Sequence, residues 1–553
     1  MQPMDRNTPS PAERVEALLS TFGAPDACLA HQLCDRYDPS AVAYTIVSPD
    51  LSARDLTYGE LRGESERLAA AFVGLGVGPG DRIATLMGKS RALLVTLMAI
   101  WRVGAVHVPL FTAFASPAIT MRLQASRAKL VVCDAEQRSK LDDTDAQDLS
   151  ARVITTGEAC GGDLTYAELQ RSPELAPPSV ALGGAAPMIE IYTSGTTGAP
   201  KGVIVPIQAL AAFQAYAEFG LDLTPDDLLW NSADPGWGYG LYFGVLAALT
   251  TGVKSLMLEG GFKPETCLAV LERYGVTNFA AAPTVYRSLR ASGLSPSGPL
   301  ALRCASSAGE PLTPEVNEWA VSALSVEVHD HYGQTEAGML INNHQHPALR
   351  RPLKPGSMGQ VMPGWTGRIL DLETDEPAAA GVVGRVAMDL TQSPLAWFGG
   401  YIDAPAKSAE KFSADGRWYL TGDVGRVDED GDFYFASRDD DVIIMAGYRI
   451  GPFEVESVIL THPAVNECAV IAVPDAVRGE VLEAAVVLQP GHTPSEALTK
   501  AIQTLVKTDF AAHAYPRRVH YLTELPKTAS GKIQRFVIRQ QLTSKSQAPT
   551  ATG

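Results

Sequence analysis

At 553 residues, 46% hydrophobic and 19% charged, the chain is too long for one compact core and ordinary in polarity for a soluble globular protein of two or more domains. A formal net charge of −17 and a pI near 5.1 exclude the basic surface that a nucleic-acid binder needs. Seven scattered cysteines without a CxxC pair read as reduced thiols, and the start MQPMDRNTPSPAER has no apolar secretory core, so a cytoplasmic setting is expected.

Residues 1 to about 30 form a lead-in with one helix, Pro11 to Phe22, opened by Ser10 and Pro11. Tyr58 to Leu75 has helical spacing and stops at Gly76; Arg82 to Leu86 is a short apolar strand and Ala92 to Val103 a helix. Val106 to Leu110 and Leu130 to Cys133 follow as strands, and such alternation predicts α/β architecture with mainly parallel sheets. The apolar stretches Leu93 to Leu110 and Leu241 to Leu258 are broken by Arg102, Lys254 and glycines, which predicts buried helix–strand pairs and no membrane span. Over 351–437 the pattern shifts to short strands with Gly, Pro and Asp turns, predicting a small antiparallel β unit such as a barrel. Beyond Asp440 a compact α+β segment is expected: helix Phe453 to Leu460, strands Val465 to Val473 and Ala484 to Leu488, helix Ser495 to Thr508 and strand Arg518 to Tyr521. The resulting division is 1–30, 31–439, 440–541 and, from Leu542, a tail too poor in apolar residues to fold.

Five strings carry chemistry. After the apolar strand Met188 to Tyr192, and read as leading into a helix, comes Thr193-Ser-Gly-Thr-Thr-Gly-Ala-Pro-Lys201. Its glycines turn the backbone tightly, its hydroxyls donate and Lys201 adds charge, a combination suited to a polyphosphate although it is no Walker A loop. In His329-Asp-His-Tyr-Gly-Gln-Thr-Glu336, the carboxylate of Glu336 suits Mg²⁺, Thr335 a phosphate oxygen and the Tyr332 ring a base. His329, His331, His344 and His346 also admit a rival zinc site, against which stands the absence of a known ligand spacing. Asp423, in Thr421-Gly-Asp423, sits at a Gly-flanked turn suited to ribose hydroxyls. Arg438 with Asp439 to Asp441, followed by Ala446-Gly-Tyr-Arg449, marks a hinge at the domain boundary. Pro526-Lys-Thr-Ala-Ser-Gly-Lys532 reads as a loop delivering one charge into a site.

Together, in order, from Leu56 (LTYGEL) to Arg535 (GKIQR), these strings resemble the adenylate-forming superfamily of acyl-CoA synthetases, peptide-synthetase adenylation domains and luciferases. Tyr332-Gly-Gln-Thr-Glu336, Gly447-Tyr-Arg-Ile-Gly-Pro452, Lys527-Thr-Ala-Ser-Gly-Lys-Ile-Gln-Arg535 and Pro109-Leu-Phe-Thr-Ala-Phe114 look most like the acetyl- and medium-chain acyl-CoA synthetases. The resemblance implies a large N-terminal domain of two α/β lobes and a β-barrel, followed by a small mobile C-terminal domain. It also implies ATP, Mg²⁺ and coenzyme A as ligands, with a small carboxylic acid as substrate. Carried onto this chain, Thr193, Ser194, Gly195, Thr196, Thr197, Gly198 and Lys201 grip the phosphates, while Gly309, Glu310, Pro311 and Asp330, His331, Tyr332, Gly333 and Gln334 form the nucleotide pocket. Thr335 meets the α-phosphate or the acyl carboxylate, Glu336 holds Mg²⁺, Asp423 and Arg438 take the ribose, Lys532 bridges carboxylate and α-phosphate, and Asp440 is the hinge. Ala446, Gly447 and Tyr448 line the pantetheine path, Arg478 and Tyr515, with Lys507, meet the CoA nucleotide, and Trp237, Tyr239, Gly240, Gly333 and Arg449 face the acyl group. Acetate-specific relatives carry Trp-Trp where this chain has Tyr332-Gly333, which implies an acid larger than acetate: medium-chain, branched or aryl. The alternative is a free-standing enzyme that loads a carrier-protein thiol; the Gly447 loop and the lack of a carrier domain after Arg535 favour CoA.

Overall fold

The computed structural model describes residues 9–142, 151–171, 178–193, 201–438, 441, 443–445, 448–475, 479–511, 514–527 and 533–546. Two of its N-terminal helices begin at caps the sequence supplies. Ser10 and Glu13 exchange hydrogen bonds at the start of Pro11–Phe22, and Thr57 and Glu60 do the same for Tyr58–Gly74, satisfying amides that have no intrahelical partner.

Three sheets organise the described residues. The first has seven strands in the order Leu164–Thr165, Arg152–Thr155, Leu130–Cys133, Arg82–Leu86, Val106–Pro109, Pro187–Thr193, Lys201–Pro206. All its neighbours are parallel except the last pair. The helix Arg91–Arg102 is the crossover between the parallel strands Arg82–Leu86 and Val106–Pro109, so the first apolar stretch is a buried helix–strand pair. Its Arg102 is itself buried, forked onto Asp35 at 2.5 and 2.8 Å and bonded to Ser65, so the charge is paired inside the core. The second stretch likewise folds as helical turns from Gly240 to Thr251 and the strand Ser255–Leu258, and among the described residues no helix is long and apolar enough to cross a membrane.

The second sheet has thirteen strands. Val42–Val47, Ser255–Leu258, Leu229–Asn231, Asn278–Ala281, Cys304–Ala308 and Val328–Gln334 run parallel through its centre. From there it turns antiparallel through Gly338–Asn342, Ser357–Val361, Phe433–Arg438, Trp418–Val427, Gly384–Asp389 and Gly367–Leu370. The antiparallel unit expected over 351–437 is therefore the outer part of this sheet, with Gly367–Leu370 as its edge strand. A third, five-stranded sheet (Tyr448–Ile450, Ile443–Met445, Gly479–Leu488, Val465–Asp475, with Arg518–Tyr521 beside Gly479–Leu488) is packed by the helices Pro452–Leu460 and Glu496–Asp509 around its own core.

Two local expectations change. The segment after the Thr193 loop is not a helix but the strand Lys201–Pro206, which pairs antiparallel with Pro187–Thr193 from Thr193↔Lys201 onward. Its alternating Val203 and Val205 face the core, and that pattern favours an extended chain over a helix. The first residues of the tail expected from Leu542 are instead helical: the helix Arg535–Ser546 runs through them, and Leu542 is buried with Leu525 and Ile538.

Candidate active site

The parallel strands Cys304–Ala308 and Val328–Gln334 end side by side, and the region beyond the carboxyl ends of such strands is where α/β sheets hold ligands. Gly309 leaves the first at φ 103°, a conformation that favours glycine, and a Cβ there would lie 2.9 Å from the Trp237 indole. The indole therefore lies directly over the Gly309 backbone. The Glu310 side chain is taken up by an ion pair with Arg287 at 2.5 Å and a hydrogen bond from Thr284.

Alternation along Val328–Gln334 divides the second string between two faces. Tyr332 and Gln334 project to the site. His331 goes the other way: the Tyr216 hydroxyl lies 2.7 Å from Nδ1 and the Asn343 carbonyl 3.1 Å from Nε2, so its ring is engaged within the core. His329 bonds the same Asn343 carbonyl, His344 the Val361 carbonyl, and His346 accepts from the Ala348 amide, so each of the four rings is engaged by backbone. Burial holds the imidazoles of His329, His331 and His344 below their ordinary pKa, hence neutral. Burial also pushes the Asp330 carboxyl up to about 8; one oxygen accepts from the Leu312 amide and the other has no hydrogen-bond partner among the described residues.

Asp423 is the node of the site. It lies opposite Arg438 in the antiparallel ladder, with the guanidinium 3.2 Å from Oδ1. Its Oδ2 accepts from the Tyr332 hydroxyl and, at 2.7 Å, from Gln334 Nε2. Gln334 is held in turn by the Thr421 carbonyl and the Tyr419 hydroxyl at 2.9 and 2.8 Å. Burial first, and the Asp423 charge second, keep the Tyr332 phenol far above its usual pKa, so it stays a donor.

Thr335 and Glu336 occupy the turn between Val328–Gln334 and Gly338–Asn342. Tyr242 donates to the Thr335 carbonyl at 3.1 Å, and the backbone of Gly238 passes close to the Thr335 hydroxyl. Glu336 is buried, and its Oε1 accepts from the Tyr401 hydroxyl at 2.7 Å. Over the Tyr401 ring, 5.0 Å from its centre, lies the Lys201 ammonium. Tyr401 thus links Lys201, at the end of the 193–201 loop, to Glu336, while Ser194, Gly195, Thr196, Thr197 and Gly198 lie outside the described residues. Tyr401 and Lys411 were missed from the sequence, sitting in Gly399-Gly-Tyr-Ile and Glu410-Lys-Phe, strings with no motif spacing, while Tyr419 lies in the Trp418-Tyr-Leu-Thr-Gly-Asp423 string, where only Asp423 was given a role.

Around the expected acyl end, Trp237 is half-buried and its ring centre lies 5.8 Å from that of buried Tyr239. Gly240 passes tightly against the Asp234 backbone. At Gly333 a Cβ would run into the Gly338 carbonyl and lie 2.8 Å from Met339 Cα. The missing side chain at 333 therefore serves a tight hairpin, and the direction it would take is filled by backbone.

In the C-terminal unit, Tyr515 is flanked by Lys507 and Arg517, their charges 3.9 and 4.0 Å from its ring centre. Arg517 was not singled out in the sequence. Tyr448 and Arg449 lie on a strand paired with Ile443–Met445, whereas Asp440, Ala446, Gly447, Arg478 and Lys532 lie outside the described residues. Lys527 and Ile533 pair across the ends of the 528–532 segment. Arg535 then binds Glu456 at 2.7 Å and Asp441 at 3.4 Å.

Asp423, held by Tyr332, Gln334 and Arg438, and Glu336, held by Tyr401 beside Lys201, stand in a chain whose relatives make it an AMP-forming acid–thiol ligase. The chain belongs to the AMP-binding enzyme family: that family's model matches residues 33–393, and the model of the AMP-binding enzyme C-terminal domain matches 454–532. It is 35% identical to an acetyl-coenzyme A synthetase of Bacillus subtilis over 492 residues, 87% of this chain and 84% of the relative. Among solved structures, an acyl-CoA synthetase of Brucella canis is 40% identical, with TM-score 0.75 and 98% of both chains covered. An anthranilate CoA ligase, AuaEII, solved with anthranoyl-AMP, is 28% identical with TM-score 0.85, covering 95% of this chain and 99% of that one.

Proposed function

We propose that this ligase activates a carboxylic acid larger than acetate as its acyl-adenylate and hands the acyl group to coenzyme A. The observation that carries the reading is a pair of carboxylates, each held in orientation by named partners. Asp423 is fixed by Tyr332, Gln334 and Arg438, and Glu336 is fixed by Tyr401 beside Lys201. The first end suits ribose hydroxyls; the second suits a triphosphate and its counter-ion.

A carboxylate is a poor acyl donor because its leaving group would be oxide. In the first half-reaction a carboxylate oxygen attacks the α-phosphorus of ATP and pyrophosphate leaves. Both reactants are anions, so catalysis is positioning and charge neutralisation. Lys201, the donors of the 193–201 loop, Thr335 and Lys532 supply it, with Asp440 as the hinge that brings the 440–541 domain and its Lys532 to the site. Glu336 fits Mg²⁺: it offers a hard oxygen, one carboxylate oxygen is held by Tyr401, and Thr335 adds a neighbouring hydroxyl. The ion would neutralise phosphate charge there. In the second half-reaction the CoA thiol attacks the acyl carbon and AMP leaves. Ala446, Gly447 and Tyr448 would line its path, and Tyr515 between Lys507 and Arg517 would receive its anionic nucleotide. An acid with an apolar body is supported by the half-buried Trp237 indole and by the likeness to a ligase solved with anthranoyl-AMP.

The test is to incubate the protein with ATP and Mg²⁺ and a panel of C2 to C10, branched and aryl acids, with and without CoA, following AMP and acyl-CoA by mass spectrometry. Equal amounts of AMP and acyl-CoA from the larger acids are expected. Preference for acetate would overturn the size argument, and adenylate without a CoA thioester would move the acceptor to a carrier protein.

A further inference from the structure

We propose that Lys411 is a further phosphate-binding residue of this reaction, its ammonium group contacting the triphosphate of ATP alongside Lys201; the inference rests on the ATP-dependent reading above. No motif contains Lys411, yet the structure carries it into the site. Its backbone carbonyl accepts from the Leu420 amide at 2.8 Å, and its Nζ donates to the Thr421 carbonyl at 2.7 Å, two residues before Asp423. The ammonium is aimed at the space beside Gly422, where a Cβ would lie 3.3 Å from Lys411 Nζ and 3.9 Å from Arg438 Nη2. Gly422, at φ 77°, leaves that space open for the two cations.

The charges around it do not balance. Lys411 interacts with Glu336 and Asp423, which attract it, and with Arg438 and Lys201, which repel it. With Glu410, which is ion-paired to Lys407 and also attracts Lys201 and Lys411, the neighbourhood holds four cations against three carboxylates. Asp423 is already engaged by Tyr332, Gln334 and Arg438, and Glu336 by Tyr401. Burial, opposed by Glu336, holds the Lys411 ammonium below its ordinary pKa, as expected for a cation placed in a desolvated site ahead of its anionic partner. A polyphosphate supplies the missing negative charge. A lysine that served only to pin Thr421 would need neither the neighbouring cations nor the opening beside Gly422.

The two roles separate in Lys411→Gln, which keeps a donor for the Thr421 carbonyl and removes the charge. Affinities for ATP, pyrophosphate and AMP are measured by calorimetry on the full chain, beside the wild type and Lys411→Arg. The expected result is a loss of roughly 10- to 100-fold for ATP and pyrophosphate, AMP within about twofold of wild type, and partial recovery in Lys411→Arg. ATP and AMP weakening together would assign Lys411 to holding the Asp423 end, and unchanged ATP affinity would remove it from the site; either overturns the proposal. Wild-type binding of ATP tests the underlying reading separately.

Discussion

Gln334 donates from Nε2 to Asp423 Oδ2 at 2.7 Å across 89 positions of chain, tying the turn that carries Thr335 and Glu336 to the antiparallel unit that carries Arg438. The amide is uncharged, so Asp423 keeps its full charge for Arg438 and for a ligand. Gln334→Glu sets a second carboxylate against Asp423, removes the donor to Thr421 and replaces attraction with repulsion. The KM for ATP should rise about tenfold or more, with partial recovery as pH falls and one carboxyl takes a proton. Steady-state kinetics across pH checks this; an unchanged KM would remove the Asp423 end from nucleotide binding.

Asp330 gives a pH dependence of stability with a definite sign. Its carboxyl titrates at about 8 when folded, because of burial, and near 3.9 when unfolded. The folded chain therefore binds the extra proton between those values. The contribution of Asp330 to stability is fully present below about pH 4 and is lost as pH rises to about 8, by at most about 1.4 kcal/mol per pH unit. Asp330→Asn should remove that slope. Denaturant unfolding of both proteins across this range decides it, and parallel curves would show that Asp330 titrates alike in both states.

Arg535 and Glu456 form a nearly buried pair, and Glu456 also accepts from the Val470 amide at 2.7 Å. Arg535→Met strands the carboxylate and should destabilise the C-terminal unit by about 3–5 kcal/mol, with part recovered in Arg535→Met/Glu456→Gln. Hydrogen exchange on 452–475 reads the loss. A variant exchanging like the parent would give the pair only a surface value.

Trp237 should set the size of the acid. Trp237→Leu removes the ring that lies over Gly309, and the kcat/KM ratio of aryl acids to acetate should rise by about tenfold, as expected for a deepened apolar pocket. Competition between benzoate and acetate measures it. An unchanged ratio would confine Trp237 to packing.

Lys532→Ala should separate the half-reactions: adenylation slowed by about 10²–10³-fold, and thioester formation from supplied acyl-adenylate much less affected. Rapid-quench assays of each step check this, and equal losses would give Lys532 a different role.

Composition, alternation and loop chemistry carried much of this protein in the sequence alone. The parallel strands at Arg82–Leu86 and Leu130–Cys133, the capped helix Pro11–Phe22 and the strand Arg518–Tyr521 were legible because their patterns are local. Asp423 and Glu336 were legible because backbone turns and charge recur in short strings. What faces what was decided only by the tertiary structure. Strand alternation sent His331 into the core against Tyr216 while Tyr332 faced Asp423, and Glu310 was taken by Arg287. Hairpin pairing made Lys201–Pro206 a strand and filled the direction of a side chain at Gly333 with backbone. Tyr401 and Lys411, 65 and 75 residues beyond Glu336, had no motif to announce them. Their chemistry comes from long-range packing, and the charge a lysine presents depends on burial and neighbours that only the folded chain brings together.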